Sequence, residues 1–414
     1  MVIIIFNMIT NIIWFITTIF IMYAGFYFSI KLKFPQFRWI KILKSLKGAN
    51  KEIFKTLNLT LAGKIGVGSI SGIALCMYVG GVGSIFWLWI STFILTSLTC
   101  IETKLGLKYR KKIKNEYIGG PSFYIEHGLK NKKLSQIYSV LIILAYIVAF
   151  ISIQTNTIII ALENIVDIDK LLIVFFLIII IMLSIRNGVS TISKITEILT
   201  PVMGTIYILT GILVISINYK RSIEAFQLII LNAFSFKSII SIPVIVGIER
   251  GIFANEVGIG TTAMAVSASN DNDIERIQNI QIIGTFLTSL IICTITTFII
   301  LTSNGFQNNT LNINGIEIVN FAFLQHFGYY GTIILTIIIF LFAFSTIITS
   351  YYYGELNFKQ LFNKNTKILK IIVIIIIAYS SYAKPLVLWN VVDILVALIA
   401  IINSYAMIKL SKKE

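Results

Sequence analysis

The chain alternates long apolar runs with short polar ones. Eleven runs are long enough to cross a bilayer, near 9–30, 57–78, 83–103, 137–162, 171–185, 195–217, 237–265, 277–302, 330–352, 367–383 and 386–408. A crossing helix needs about 20 mainly apolar residues, and lipid admits no irregular backbone in contact with it. The pattern therefore predicts an all-α polytopic membrane protein with eleven transmembrane helices. Two runs are interrupted. Lys64 to Gly83 places glycine at 66, 68, 72, 80, 81 and 83. Arg250 to Ala268 carries Gly258-Ile259-Gly260-Thr261, which matches Gly66-Val67-Gly68-Ser69. An interior glycine weakens a helix by about 1 kcal/mol relative to alanine, so both runs are expected to open at these pairs. Freed amides and carbonyls at such breaks suit a carboxylate and a cation. The plainer reading, small residues that let helices pack closely, stands beside it.

With 9–30 set aside, ten runs remain, five in each half, and each half begins with its broken run. An odd number of crossings gives the halves opposite orientation, the inverted-repeat design of secondary transporters. The chain reads as a single membrane domain over 1–414. Residues 1–56 form an extra N-terminal helix and a basic linker, 57–217 the first repeat and 237–408 the second. Between Lys31 and Lys55, Phe34, Phe37, Trp39 and Ile40 interleave with basic residues, which predicts an interfacial helix. Pro201 is expected to kink its helix.

Composition agrees. The chain is 57% hydrophobic, with a mean hydropathy of +0.89, against about 45–50% apolar in soluble domains. The net charge of +16 raises nucleic acid as a partner, but its placement argues for topology. With the N-terminus outside, 27 of the 34 Lys and Arg fall in cytoplasmic segments and 5 in external ones. That asymmetry sets orientation in a cell membrane, with the C-terminus inside, and suits contact with anionic lipid.

Candidate chemistry is confined to polar residues at membrane depth, which are costly and face a bundle interior or a cavity. Gln154, Thr155 and Asn156 form one group, and Asn156 reads equally as an interhelical hydrogen bond. Glu249, Arg250, Asn255 and Glu256 form a second, with an Arg250–Glu256 pair expected to lock the open segment. Ser345-Thr346 form a third. Their hydroxyls either bond back to their own helix or, with freed carbonyls, offer a hard cation its oxygen ligands. Cys76, Cys100 and Cys293 lie in apolar runs without metal spacing, and His127 and His326 stand alone. No nucleophile and base are paired, so an enzyme finds no support.

The chain resembles the alanine or glycine:cation symporter family (sodium:alanine symporters), whose members have the LeuT-type fold. The resemblance covers nearly the whole chain. It begins at Ala24–Ile30 and Pro35–Arg38 and is densest in Gly66–Trp89, Glu116–Pro121, Arg250–Gly260 and Leu341–Glu355. It implies Na⁺ as coupling ion and a small neutral amino acid as substrate. That substrate would lie between the breaks, at Gly66, Gly68, Ser69, Gln154, Gly258, Gly260, Thr346 and Ser350. Sodium would take carbonyls near Ala62, Ile65 and Phe342 with the hydroxyls of Ser345 and Thr346. Two places depart from the family pattern: Ser69 stands for asparagine, and Thr349-Ser350 for glycine-tryptophan. Three outcomes follow: Tyr351 or Tyr352 repacks into the gap, water fills it, or, the outcome favoured here, the substrate is larger or more polar than alanine. The alternative is a transporter-like sensor or scaffold that has lost transport.

Overall fold

The computed structural model describes residues 2–113, 116–234, 242–303, 315–362 and 366–413. The first helix, α1 (Val2–Lys31), shows how the apolar runs are sorted. Trp14, Thr17, Ile21, Ala24 and Phe28 recur every three or four residues and are buried against α5 (Ser84–Lys108) and α19 (Pro385–Ser411). Ile12, Phe15, Ile16 and Ile19 face outward, as a helix with protein on one side and lipid on the other requires. Lys31 Nζ donates to the Ser411 carbonyl, so the ends of α1 and α19 share one end of the bundle. That end also carries the linker and is here called the basic end.

The linker contains the expected helix, α2 (Trp39–Lys47). Trp39 stacks on Phe286, Ile42 is buried, and Ile40 and Leu43 are exposed. The run after it is broken as expected. α3 (Lys51–Lys64) is capped by Asn50, whose Oδ1 accepts from the Ile53 amide at 3.0 Å. The chain leaves the helix at Ile65, makes a short 3₁₀ turn over Val67–Ser69 and resumes as α4 (Ser71–Gly80). A two-stranded hairpin, β1 (Lys111–Ile113) with β2 (Glu116–Ile118), follows α5 and leads into α6 (Pro121–His127).

The next rod runs from α7 (Lys132–Ile142) through a π-helical stretch, Ile143–Phe150, into α8 (Ile151–Glu163). Then come α9 (Lys170–Ser184), α10 (Val189–Ile217), which contains Pro201, and α11 (Tyr219–Ala233). The second broken run comprises α12 (Ile242–Asn255) and α13 (Thr261–Ser267); residues 237–241 of that expected span lie outside the described ones. The rest is α14 (Ile274–Phe286), a second π-helical stretch Leu287–Cys293, α15 (Thr294–Leu301), α16 (Gly315–Phe327), α17 (Tyr329–Phe362), α18 (Lys367–Ser380) and α19.

Among the described residues, seven helices are long and apolar enough to cross a membrane, and α4 and α9 are shorter apolar ones. Two helices lie in segments read from sequence as external loops. Both bury a narrow apolar stripe: Ala225, Ile229 and Ala233 in α11, and Ile316, Val319 and Phe323 in α16.

Candidate functional site

The two breaks meet in the middle of the bundle, and α17 packs beside the first. Ser345 Oγ lies 3.2 Å from the Ala62 carbonyl and 2.8 Å from that of Phe342. Thr346 Oγ1 lies 3.1 and 3.0 Å from the same two oxygens. Back-bonding and convergence on α3 therefore coexist. Gly66 makes this approach possible, since a Cβ there would stand 2.5 Å from Thr346 Oγ1. Two carbonyls and two hydroxyls, all buried, are the donor set a hard alkali cation takes. Both hydroxyls bond to Ala62 and Phe342 rather than to Ile65, where α3 leaves its ladder.

The first break is held from three sides. Gln154 Oε1 accepts from the Val67 amide at 3.1 Å. The Ser69 carbonyl accepts from Thr296 Oγ1 at 2.8 Å, while the Ser69 hydroxyl turns back to the Lys64 carbonyl at 3.4 Å. A Cβ on Gly68 would meet the Phe253 ring at 2.7 Å. Ser350 lies one turn along α17 from Thr346. It is buried, and its hydroxyl has no hydrogen-bond partner among the described residues.

In the second break Glu256, Gly258 and Gly260 take positive φ values of 51°, 82° and 102°. Glu256 adopts a conformation that side chains other than glycine seldom do. Tyr146 Oη donates to Glu256 Oε1 at 3.0 Å and Tyr138 Oη to the Ile259 carbonyl at 2.6 Å. Asn403 Nδ2 donates to the Gly258 carbonyl at 2.9 Å and to Glu102 Oε1 at 3.0 Å. Gly258 and Gly260 thus belong to this second wall, while Gly66, Gly68 and Ser69 form the first. Lys64 is buried between them: its ammonium donates to Thr285 Oγ1 at 3.3 Å, and Glu102 and Glu256 face it at longer range.

The expected Arg250–Glu256 pair is not formed. Six helical residues place two side chains about 240° apart around the axis, and Glu256 has already left α12. Arg250 Nη2 instead contacts Glu249 Oε1 at 3.0 Å and Asp393 Oδ2, on α19, at 2.8 Å. Its guanidinium lies over the rings of Phe253 and Trp389. Asn156 makes the interhelical bond, donating to the Ser380 and Ala383 carbonyls at 2.9 and 3.1 Å.

Sequence reasoning missed a line of aromatic rings in contact behind the breaks. Tyr353, Tyr146, Phe150, Phe253 and Trp389 follow one another at centroid spacings of 5.4, 4.6, 5.2 and 5.2 Å. The spacing of Tyr146, Phe150 and Gln154, four residues apart on one rod, is the part a sequence could have shown.

Arg250 and Asp393 each lie eight residues from their helix starts, about 12 Å in from the end opposite the basic one. At the basic end a cavity of about 310 Å³ opens between α3, β2, α10 and α13, lined by Glu52, Lys55, Glu116, Ser193 and Asn270 among others. Of the lining residues, Asn270 Nδ2 donates to Glu52 Oε2 at 3.2 Å, and next to them in the chain Asn50 Nδ2 donates to Asp271 Oδ2 at 2.6 Å.

Two broken helices facing each other within a helical bundle place the molecule among LeuT-type transporters. The fold matches the crystal structure of MhsT in complex with L-phenylalanine, with a TM-score of 0.66 and 15% identity, covering 87% of this chain and 88% of that one. It also matches a Na⁺-coupled sialic acid symporter in its outward-open state, with a TM-score of 0.56 and 16% identity over 98% and 83%. The chain belongs to the sodium:alanine symporter family, whose model matches residues 1–414. Its members are transporters, not enzymes. Curated relatives include the probable sodium/glutamine symporter GlnT of Bacillus subtilis, 33% identical over 94% of this chain and 84% of that protein. Another is the sodium/alanine symporter AgcS of Methanococcus maripaludis, 32% identical over 86% and 81%.

Proposed function

We propose that this protein couples entry of a neutral amino acid to the sodium gradient, with the amino acid held between the Gly66–Ser69 and Gly258–Gly260 breaks. The convergence of Ser345, Thr346, Ala62 and Phe342 at Gly66 carries the reading. These oxygens, with the Ile65 carbonyl beside them, would hold Na⁺. The ion would supply a positive charge that fixes the end of α3 against α17. Backbone amides and carbonyls freed at the breaks would take the substrate's charged ends, as broken helices in transporters do.

Eleven crossings, one plus an inverted five and five, with the basic end in the cytoplasm, complete the reading. In that frame Arg250 and its partners close the outer path and the cavity beside α3 is the inner vestibule. Ser350, whose hydroxyl has no bonded partner among the described residues, and Ser69, turned back on its own chain, are both smaller than the tryptophan and asparagine of the family pattern. They favour a substrate larger or more polar than alanine, and kinship with GlnT agrees with this. Sodium-gradient uptake into proteoliposomes, with a panel of labelled amino acids that includes glutamine and alanine, is the test. Sodium-independent or absent uptake for every member would favour a sensor or scaffold instead.

A further inference from the structure

The group around Arg250 contains one base and two acids, and all three are buried. Both acids reach the same guanidinium nitrogen: Glu249 Oε1 at 3.0 Å and Asp393 Oδ2 at 2.8 Å. Two acceptor groups thus crowd one nitrogen, and the buried Asp393 Oδ1 has no hydrogen-bond partner among the described residues. A carboxylate only accepts, so two of them gathered on one nitrogen can bond to each other only through a proton. Charge counting agrees. Arginine is always cationic, so with both acids ionised the group would carry one uncompensated negative charge, which is costly in a low-dielectric interior.

The neighbours offer no other counter-charge. From α4 the group faces the Cys76 thiol, from α12 Phe253 and from α19 Trp389. Among the described residues no lysine or further arginine forms an ion pair with Glu249 or Asp393. Lys237 lies outside the described residues.

We propose that Glu249 and Asp393 form a proton-binding site, sharing one exchangeable proton above Arg250 and thereby keeping α12 and α19 joined over the first break. The contact chain to the break is short: Arg250 covers Phe253 and Trp389, and the Phe253 ring fills the space beside Gly68. Loss of the proton leaves two carboxylates against one guanidinium, and their repulsion drives α12 and α19 apart. The proposed lid role rests on the transport reading above, whereas the proton itself does not.

The test uses the full-length protein in lipid and needs no transport. Infrared difference spectra between about pH 4 and about pH 9, the range in which a buried carboxyl titrates, should show the carbonyl band of a protonated carboxylic acid, shifted in D₂O. Glu249→Gln and Asp393→Asn keep each side chain's shape and leave an N–H to bridge the pair, so the lid's contacts survive the exchange. Either variant alone should remove the band's component, while Glu102→Gln and Glu256→Gln leave it. A wild-type spectrum without such a band overturns the proposal. So does a band that persists unchanged in E249Q or D393N. Failed uptake together with a band lost in E249Q would strike the transport reading and leave the proton site standing.

Discussion

Gln154 accepts a hydrogen bond from the backbone amide of Val67 across the bundle, at 3.1 Å. The residue expected to touch substrate thus also holds the unwound turn open from α8. Glutamine can do this because its carbonyl reaches an amide that left its helical partner at the break. Losing such an acceptor costs about 1–3 kcal/mol. Gln154→Ala should therefore weaken the apparent affinity for substrate and sodium together, by about tenfold or more. Gln154→Glu, which keeps an acceptor, should lose less. Uptake measured against both concentrations decides, and unchanged constants in the alanine variant would separate Gln154 from the break.

The Ser345→Ala, Thr346→Ala double variant removes two of four converging oxygens without adding bulk. It should fold, elute as the wild type on size exclusion, and lose sodium activation of uptake by at least about tenfold. Gly66→Ala should be as damaging, because its Cβ would stand 2.5 Å from Thr346 Oγ1. Normal sodium activation in the double variant would reject the ion site.

Ser350 shares a face of α17 with Thr346 and Tyr353. Its neighbours Tyr351 and Tyr352 already bond to Glu355 and the Met264 carbonyl, so neither is free to stand in for a missing aromatic wall. A tryptophan would bury about 150–250 Å² there. Ser350→Trp should shift preference toward alanine and glycine and exclude bulkier amino acids in competition assays. An unchanged ranking would remove Ser350 from the site.

Asn50 both caps α3 and holds Asp271, next in the chain to the cavity-lining Asn270. Asn50→Ala should cost about 1 kcal/mol through the cap and raise labelling of a cysteine placed at Ser193. The amide of Asp273, with the Asn50 side chain, holds the Asp271 carboxyl below its usual range. A lowered value means the latch contributes above the ordinary carboxylate range, near about pH 4, and is lost as pH falls through the lowered one. Cavity labelling should accordingly stay flat through neutral pH and rise only under acid. A rise near neutrality would contradict the assignment.

The orientation carries its own check. Cysteines placed in the Lys31–Lys55 linker should resist membrane-impermeant reagents in intact cells and react in inverted vesicles. External labelling would reverse the topology.

Both breaks were legible in the sequence because each rests on a glycine pair, and a backbone that must turn in the membrane has few other residues to use. The long runs were legible because lipid demands them. α11 and α16 were not, since their buried stripes are narrow and interrupted by polar positions. The partner of Arg250 could not be read either. Asp393 lies 143 residues away on α19, and helical phase could show only that Glu256 points elsewhere. The ring line was half visible: Tyr146 and Phe150 share a face, whereas Phe253 and Trp389 join it only through the packing of α12 and α19.

Lys64 brings membrane voltage into view. Its amine sits at the end of α3, the half-helix that lines the basic-end cavity. A full crossing of one charge is worth about 2.3 kcal/mol per 100 mV. A pivot that carries Lys64 through about a tenth of the membrane is worth about 0.2 kcal/mol, below thermal energy. The lysine can therefore move with its helix at almost no electrical cost, and under the proposed mechanism a steep response of transport to membrane potential would fall to the coupling ion.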